Sequence, residues 1–136
     1  MFNYENLSDY EFENLCCDII SKKLGVQLRI FATGRDGGID ATDDTKTHNI
    51  VVQAKHYIRS GYAALLRTLR GEVEKVKQLD PNKYYVCCAQ KLTPGNVSEI
   101  YDLFSDYMCD TNNVIDLNVI DTFLSKPENA DVLRKH

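Results

Sequence analysis

No Cys-x-x-Cys pair occurs in this chain, and no histidine stands at ligand spacing from a cysteine. Those absences remove the usual sequence signature of a zinc site. The five cysteines are odd in number, form two adjacent pairs (Cys16 with Cys17, Cys87 with Cys88) and show no disulfide-framework spacing. They are expected to be small buried residues of a reducing compartment, the cytoplasm. A long apolar run is missing too, and the opening MFNYENLSDYE carries acids, so neither a signal peptide nor a membrane span is expected. No internal repeat, low-complexity stretch or linker divides the sequence. Residues 1–136 are therefore expected to form one domain, long enough to bury roughly two thirds of its unfolded surface.

The formal net charge of -4 hides a block pattern. Residues 1–18 carry five acids and no Lys or Arg, residues 19–95 carry 13 bases and 7 acids, and residues 96–136 carry 3 bases and 8 acids. The middle block is the one that can attract a polyanion, because local sign governs such an approach more than total charge does.

LSDYEFENLCCDIISKKLG has the signature of a helix: Ser8 as N-cap, Glu11 three residues on to complete a capping box, and Gly25 to end it. Phe12, Leu15, Cys16, Ile19, Ile20 and Leu24 recur at helical spacing. At about 100° per residue, Glu11 aligns with Asp18 and Lys22 at the polar border, whereas Glu13 falls near Cys17 and Ile20. Glu13 is thus the acid on this helix expected to point inward. VQLRIFA and IDATD are predicted strands, joined by the glycine turn TGRDGG, and the polar turn DTKTH leads to a third strand, NIVVQAK. YAALLRTLRGEVEKVKQLD is predicted as a helix with Leu65, Leu66, Leu69, Val73 and Val76 on its apolar stripe and Arg67, Arg70, Glu74 and Lys77 in solvent. KYYVCCA reads as a central strand, and Thr93-Pro94 starts a helix bearing Val97, Ile100, Tyr101, Phe104 and Met108. NVIDL is a short extended piece, and two short helices follow, the last stopping at VLRKH as if the chain were cut from a longer protein. The order of helix, three-strand meander, helix, strand and helix describes an α/β sandwich around a mixed sheet.

The unusual feature is where polar groups stand on these strands. The strand period of two puts Gln53 and Lys55 on one face at the end of an apolar run, and Asp40 on the neighbouring strand can lie opposite them. Charged groups are rarely buried without a task or a partner. Oxygen ligands from Asp40, Gln53 and Glu13 suit a hard cation such as Mg²⁺, with Mn²⁺ as a substitute. Lys55 beside them could orient or deprotonate a water, or stabilise charge developing on a phosphate. That is equipment for hydrolysing a phosphodiester.

The order Phe12-Glu13-x-Leu15, Gly34-x-Asp36-Gly37-Gly38-Ile39-Asp40 and Val52-Gln53-Ala54-Lys55-x-Tyr57 resembles the Mrr-like branch of the PD-(D/E)XK, restriction-endonuclease-like superfamily. The resemblance implies that Asp40 is the motif acid, that Gln53-Ala54-Lys55 fills the (D/E)XK segment as a Q-x-K variant, and that Glu13 is the first-helix glutamate. KYYVCCAQKLTPGNVSEI, with HYIRSGYAALLRTLRGEVEKVKQLDP, is similar to the amino-terminal nuclease domain of STAND-type NTPase proteins of antiphage defence. What this implies is a restriction-endonuclease-like sandwich with a central mixed sheet flanked by helices. It also implies a metal-dependent endonuclease acting on double-stranded DNA, followed by NTPase and sensor domains in the same polypeptide and active as a dimer or higher oligomer.

Blander roles stand beside these. Asp40 could cap a strand end, Gln53 and Lys55 could emerge into solvent, and Glu13 could simply pair with a base. Asp36, in its Asp-Gly-Gly context, has a structural or substrate-positioning role. Arg35, His56, Arg59 and Lys91 lie close in sequence to the motif and could touch phosphates, or be ordinary surface residues. Tyr57 and Tyr62 could stack on a base or pack at the rim. Three functions follow: an Mg²⁺-dependent endonuclease, a catalytically silent DNA-binding or assembly module with a neutral Gln53, and a structure-selective nuclease on the same fold.

Overall fold

Ser8 starts the first helix as its sequence context requires. Its Oγ accepts the Glu11 amide at 3.1 Å, and its own amide donates to Glu11 Oε1 at 2.8 Å. This box opens α1, Asp9–Leu24. Gly25 ends it in the left-handed region, φ 66, with its amide bonded to Ser21 O, a conformation that suits a residue without Cβ.

The computed structural model describes residues 4–31, 40–44, 46–47 and 49–136. After α1 come β1 (Arg29–Ile30), β2 (Ala41–Thr42) and β3 (Ile50–Lys55), then α2 (Gly61–Leu79), β4 (Lys83–Cys88) and α3 (Pro94–Leu103). The chain ends with β5 (Val114–Ile115), α4 (Leu117–Ser125) and α5 (Ala130–Lys135). The sheet order is β1-β2-β3-β4-β5, with an antiparallel meander through β3 and parallel pairing from β3 to β4 and β4 to β5. This is the mixed sheet flanked by helices expected from the pattern. Among the described residues no helix is long and apolar enough to cross a membrane.

β3 and β4 are buried on both faces, which is why their sequences read as continuous apolar runs. Phe12, Leu15, Ile19 and Ile20 of α1 pack with Val52, Cys87 and Ile120 on one side. Leu65, Leu69, Ile100 and Phe104 from α2 and α3 pack with Val51, Tyr84 and Val86 on the other. Four of the five cysteines, Cys16, Cys17, Cys87 and Cys88, are buried free thiols as expected, and Cys109 departs from the expectation by being exposed.

Among the described residues of VQLRIFA, Arg29 and Ile30 pair on the sheet edge, where Val26 and Arg29 face solvent, and the Phe31 amide donates to Asp40 O at 3.0 Å. Of IDATD, Ala41–Thr42 pair, and Ile39 lies outside the described residues. Met108 is buried as expected, but from a turn rather than from α3. Tyr107 O is drawn to the Tyr84 amide at 2.8 Å, which turns the chain back to the sheet after Phe104.

Asp116 ties the last strand to the site end of the sheet. Buried at the start of α4, it accepts the Val119 amide through Oδ1 at 3.1 Å and the Leu92 amide through Oδ2 at 2.9 Å. Asp116→Ala removes a helix cap and strands a buried N–H, so thermal unfolding should show a loss of about 2 kcal/mol. A melting curve that superimposes on the parent's would refute that assignment.

Candidate active site

Asp40 immediately precedes β2, and its amide donates to Val52 O at 3.0 Å. With Ala41 paired to Val52, the register seats Asp40 beside Gln53, as the sequence suggested. Its Oδ2 accepts the Ala54 amide of β3 at 2.6 Å. The strand-capping role is therefore real, and it also fixes the carboxyl in one orientation. Burial raises the Asp40 pKa, against the opposing pull of the Ala54 N–H and the Lys55 charge.

Glu13 reaches the same place from α1. The helical phase that puts Phe12 and Cys16 in the core carries Glu13 inward with them, and it is only 9% exposed. Burial and then the neighbouring Asp40 carboxylate push it up to about 7. The two carboxyls are close enough for each to perturb the other. Glu13 Oε2 is buried without a hydrogen-bond partner. Two neighbouring acids, one of them with an unpartnered buried oxygen, form a site where a cation would relieve a cost the fold otherwise bears. Among the described residues, no three His, Cys, Asp or Glu side chains gather into a metal cluster.

Gln53 and Lys55 share the β3 face that looks towards α2. Gln53 is 2% exposed, and the hydroxyl of Tyr84, on the adjoining parallel strand, donates to its Oε1 at 2.6 Å. Its side chain therefore does not emerge into solvent, and its oxygen is not wholly free: one of two lone pairs is engaged. Lys55 is not a solvent-facing strand end either. Its Nζ lies 3.8 Å from Oε1 of Glu72, with both side chains largely covered, and its charge is felt by both Asp40 and Glu13.

Glu72 and Tyr84 were not among the residues singled out from the sequence. For Glu72 a signal existed: Leu65, Leu69, Glu72 and Val76 follow one helical stripe, and all four are buried. An acid in an apolar stripe is as informative as one at a strand end. Val73, assigned to that stripe from sequence, is only partly buried. Tyr84 gave no signal, because nothing in an apolar strand tells where a hydroxyl will point.

The expected phosphate contacts divide. His56 is committed elsewhere: its Nε2 lies 2.9 Å from Tyr4 O, its Nδ1 3.0 Å from Asp9 Oδ1, and its ring stacks on Phe12 with centroids 5.0 Å apart. It fastens the chain start to the strand end and is not presented to a phosphate. Arg59 and Lys91 are exposed, on loops joined by Gln90, whose Nε2 donates to Tyr57 O at 2.8 Å and Gly61 O at 3.0 Å. Both loops follow the site-bearing ends of β3 and β4. Arg35 and Asp36 lie outside the described residues. Tyr57 and Tyr62 pack rather than project: their hydroxyls meet Thr68 at 2.9 Å and Glu99 at 2.6 Å. Arg67, Arg70, Glu74 and Lys77 are exposed, as their helical phase indicates.

The chain has recognisable relatives. It is 32% identical over 102 residues to a Sinorhizobium fredii (strain NGR234) protein named "Uncharacterized protein y4cD", a match covering 75% of this chain and 16% of the relative. The matched stretch is thus about a sixth of that relative's length. No solved structure matches. A family model described as "Restriction endonuclease", of the Mrr catalytic type, matches residues 4–111. That span contains α1 with Glu13, the Asp40 turn, the Gln53-Ala54-Lys55 strand, and the α2 and β4 residues that pack on it, and the chain belongs to this restriction endonuclease family.

Proposed function

We propose that this domain hydrolyses phosphodiester bonds of double-stranded DNA with the help of a divalent ion, Mg²⁺ or Mn²⁺. The observation that carries the proposal is the convergence of Glu13, buried on α1 with an unpartnered Oε2, and Asp40, fixed by the Ala54 amide, beside the Lys55 ammonium. Asp40 and Glu13 would hold the ion, with the remaining lone pair of Gln53 Oε1 as a third donor; bound there, the ion would supply Lewis acidity and an acidified water. Lys55 contributes a fixed positive charge where negative charge develops on the phosphate oxygens, and an N–H donor to orient the attacking water. Tyr84 keeps the Gln53 amide from rotating, and the Ala54 amide does the same for Asp40. Arg59 and Lys91 would meet flanking phosphates, fixing position without reading sequence.

The single test is plasmid cleavage by the wild-type domain at high protein concentration in Mg²⁺, Mn²⁺ or EDTA. Nicked or linear product with either ion, and none in EDTA, is the expected result. Salt-sensitive DNA binding with no cleavage in any condition would instead favour the silent-module reading, which the neutral Gln53 supports. The similarity of the flanking segments to antiphage NTPase proteins, and the length of the relative, support the further proposal that the domain is an effector cutting as an oligomer in a longer polypeptide. Comparing plain with branched duplexes separates a general nuclease from a structure-selective one.

A further inference from the structure

Glu72 enters the site from the layer opposite Glu13. It projects from the middle of α2, is 8% exposed, and has Oε1 3.8 Å from Lys55 Nζ. Its Oε2 is buried with no hydrogen-bond partner, and the nearest cation to it is Lys75 Nζ at 3.7 Å. A carboxylate in an apolar stripe is costly to bury, and this one stands between two ammonium groups, Lys55 at 3.8 Å and Lys75 at 3.7 Å. The contact with Lys55, made under cover, is the one that bears on the site.

The electrostatics of the centre suggest what that contact does. Lys55 stands among Asp40, Glu13 and Glu72. Once a dication sits with Asp40 and Glu13, those carboxylates are neutralised and the ion repels the ammonium. Glu72, on the α2 side, is then the one remaining counter-charge within reach of Lys55 among these residues. We infer that Glu72 is a positioning residue that holds the Lys55 ammonium at the reacting phosphate when the cation is bound. It acts through Lys55 and touches neither substrate nor ion. This rests on the nuclease proposed above, and deepens it.

The test uses the isosteric Glu72→Gln variant and reads Lys55 directly. In protein labelled with ¹³C,¹⁵N-lysine, the Lys55 Nζ signal is identified by its loss in Lys55→Arg. With Mn²⁺ replaced by diamagnetic Mg²⁺, that signal should be sharp and shifted in the wild type and should collapse towards the position of exposed lysines in Glu72→Gln. Plasmid turnover should fall about 10- to 100-fold with little change in KM, and Glu72→Asp, which keeps the charge, should recover part of it. An unchanged Lys55 signal overturns the inference, as does Mn²⁺ affinity weakened more than about tenfold, which would make Glu72 a ligand instead. If the wild-type domain cuts nothing, the nuclease proposal falls and the lysine signal still decides whether Glu72 seats Lys55.

Discussion

Lys55→Ala extinguishes plasmid cleavage, by about 10²- to 10⁴-fold, without unfolding the domain. The size follows from position. Lys55 ends the buried strand β3, and its ammonium is the positive charge that Asp40, Glu13 and Glu72 surround. A water cannot replace it, because a neutral dipole neither offsets three carboxyls nor stabilises an anionic transition state to the same degree. Asp40→Asn should lose activity on a similar scale for the opposite reason, the loss of negative charge, while its amide oxygen still accepts the Ala54 N–H. Asp40→Ala gives up that acceptor as well, and should melt lower than Asp40→Asn by about 1 to 2 kcal/mol. Cleavage by Lys55→Ala at the parental rate would remove this site from consideration, and equal melting of the two Asp40 variants would show that the 2.6 Å bond to Ala54 contributes nothing.

Glu13→Gln should move activity and stability in opposite directions. Glu13 is held up at about 7, chiefly by burial and then by Asp40, whereas an unfolded glutamate titrates near 4.5. Between those values the folded chain binds more protons than the unfolded one, so stability falls as pH rises through that window and the full penalty is present above it. Glutamine carries no such penalty. At pH 8 the variant should be more stable than the parent by about 1 kcal/mol, after allowance for solvent screening, and the gap should close as pH drops towards 4.5. Divalent ion should raise the parent's melting temperature at pH 8 more than the variant's. Cleavage should drop by about 10²-fold or more. Equal melting curves at pH 8 in EDTA would refute a Glu13 carboxyl held up by burial and by Asp40.

Much of this was legible because local rules and long-range packing agree. The Ser8 capping box, the Gly25 stop and the Thr93 cap are short-range signals, and each appears in the fold. Asp40, Gln53 and Lys55 were visible as polar groups in the wrong place for strands, and Glu13 as an acid on the inner phase of a helix. The illegible parts depend on neighbours that sequence order does not bring together. Tyr84 meets Gln53 across parallel strands joined by α2, and His56 finds Asp9 and Tyr4 from the start of the chain. His56 was read as a phosphate contact because charge and proximity to a motif say nothing about which acceptors are already at hand.

The centre also draws its acids from both layers, Glu13 beneath the sheet and Glu72 above it, onto the end of the middle strand. Each helix is thereby indexed to the strand in rotation as well as in place. One residue gained or lost between Ser8 and Glu13 would turn the glutamate by roughly 100° around the α1 axis, and the same holds for Glu72 along α2. Over evolutionary time such a domain can exchange many side chains on these helices, but it has almost no freedom to change the count of residues between its caps and its acids. Spacing, more than identity, is what descendants would have to inherit intact.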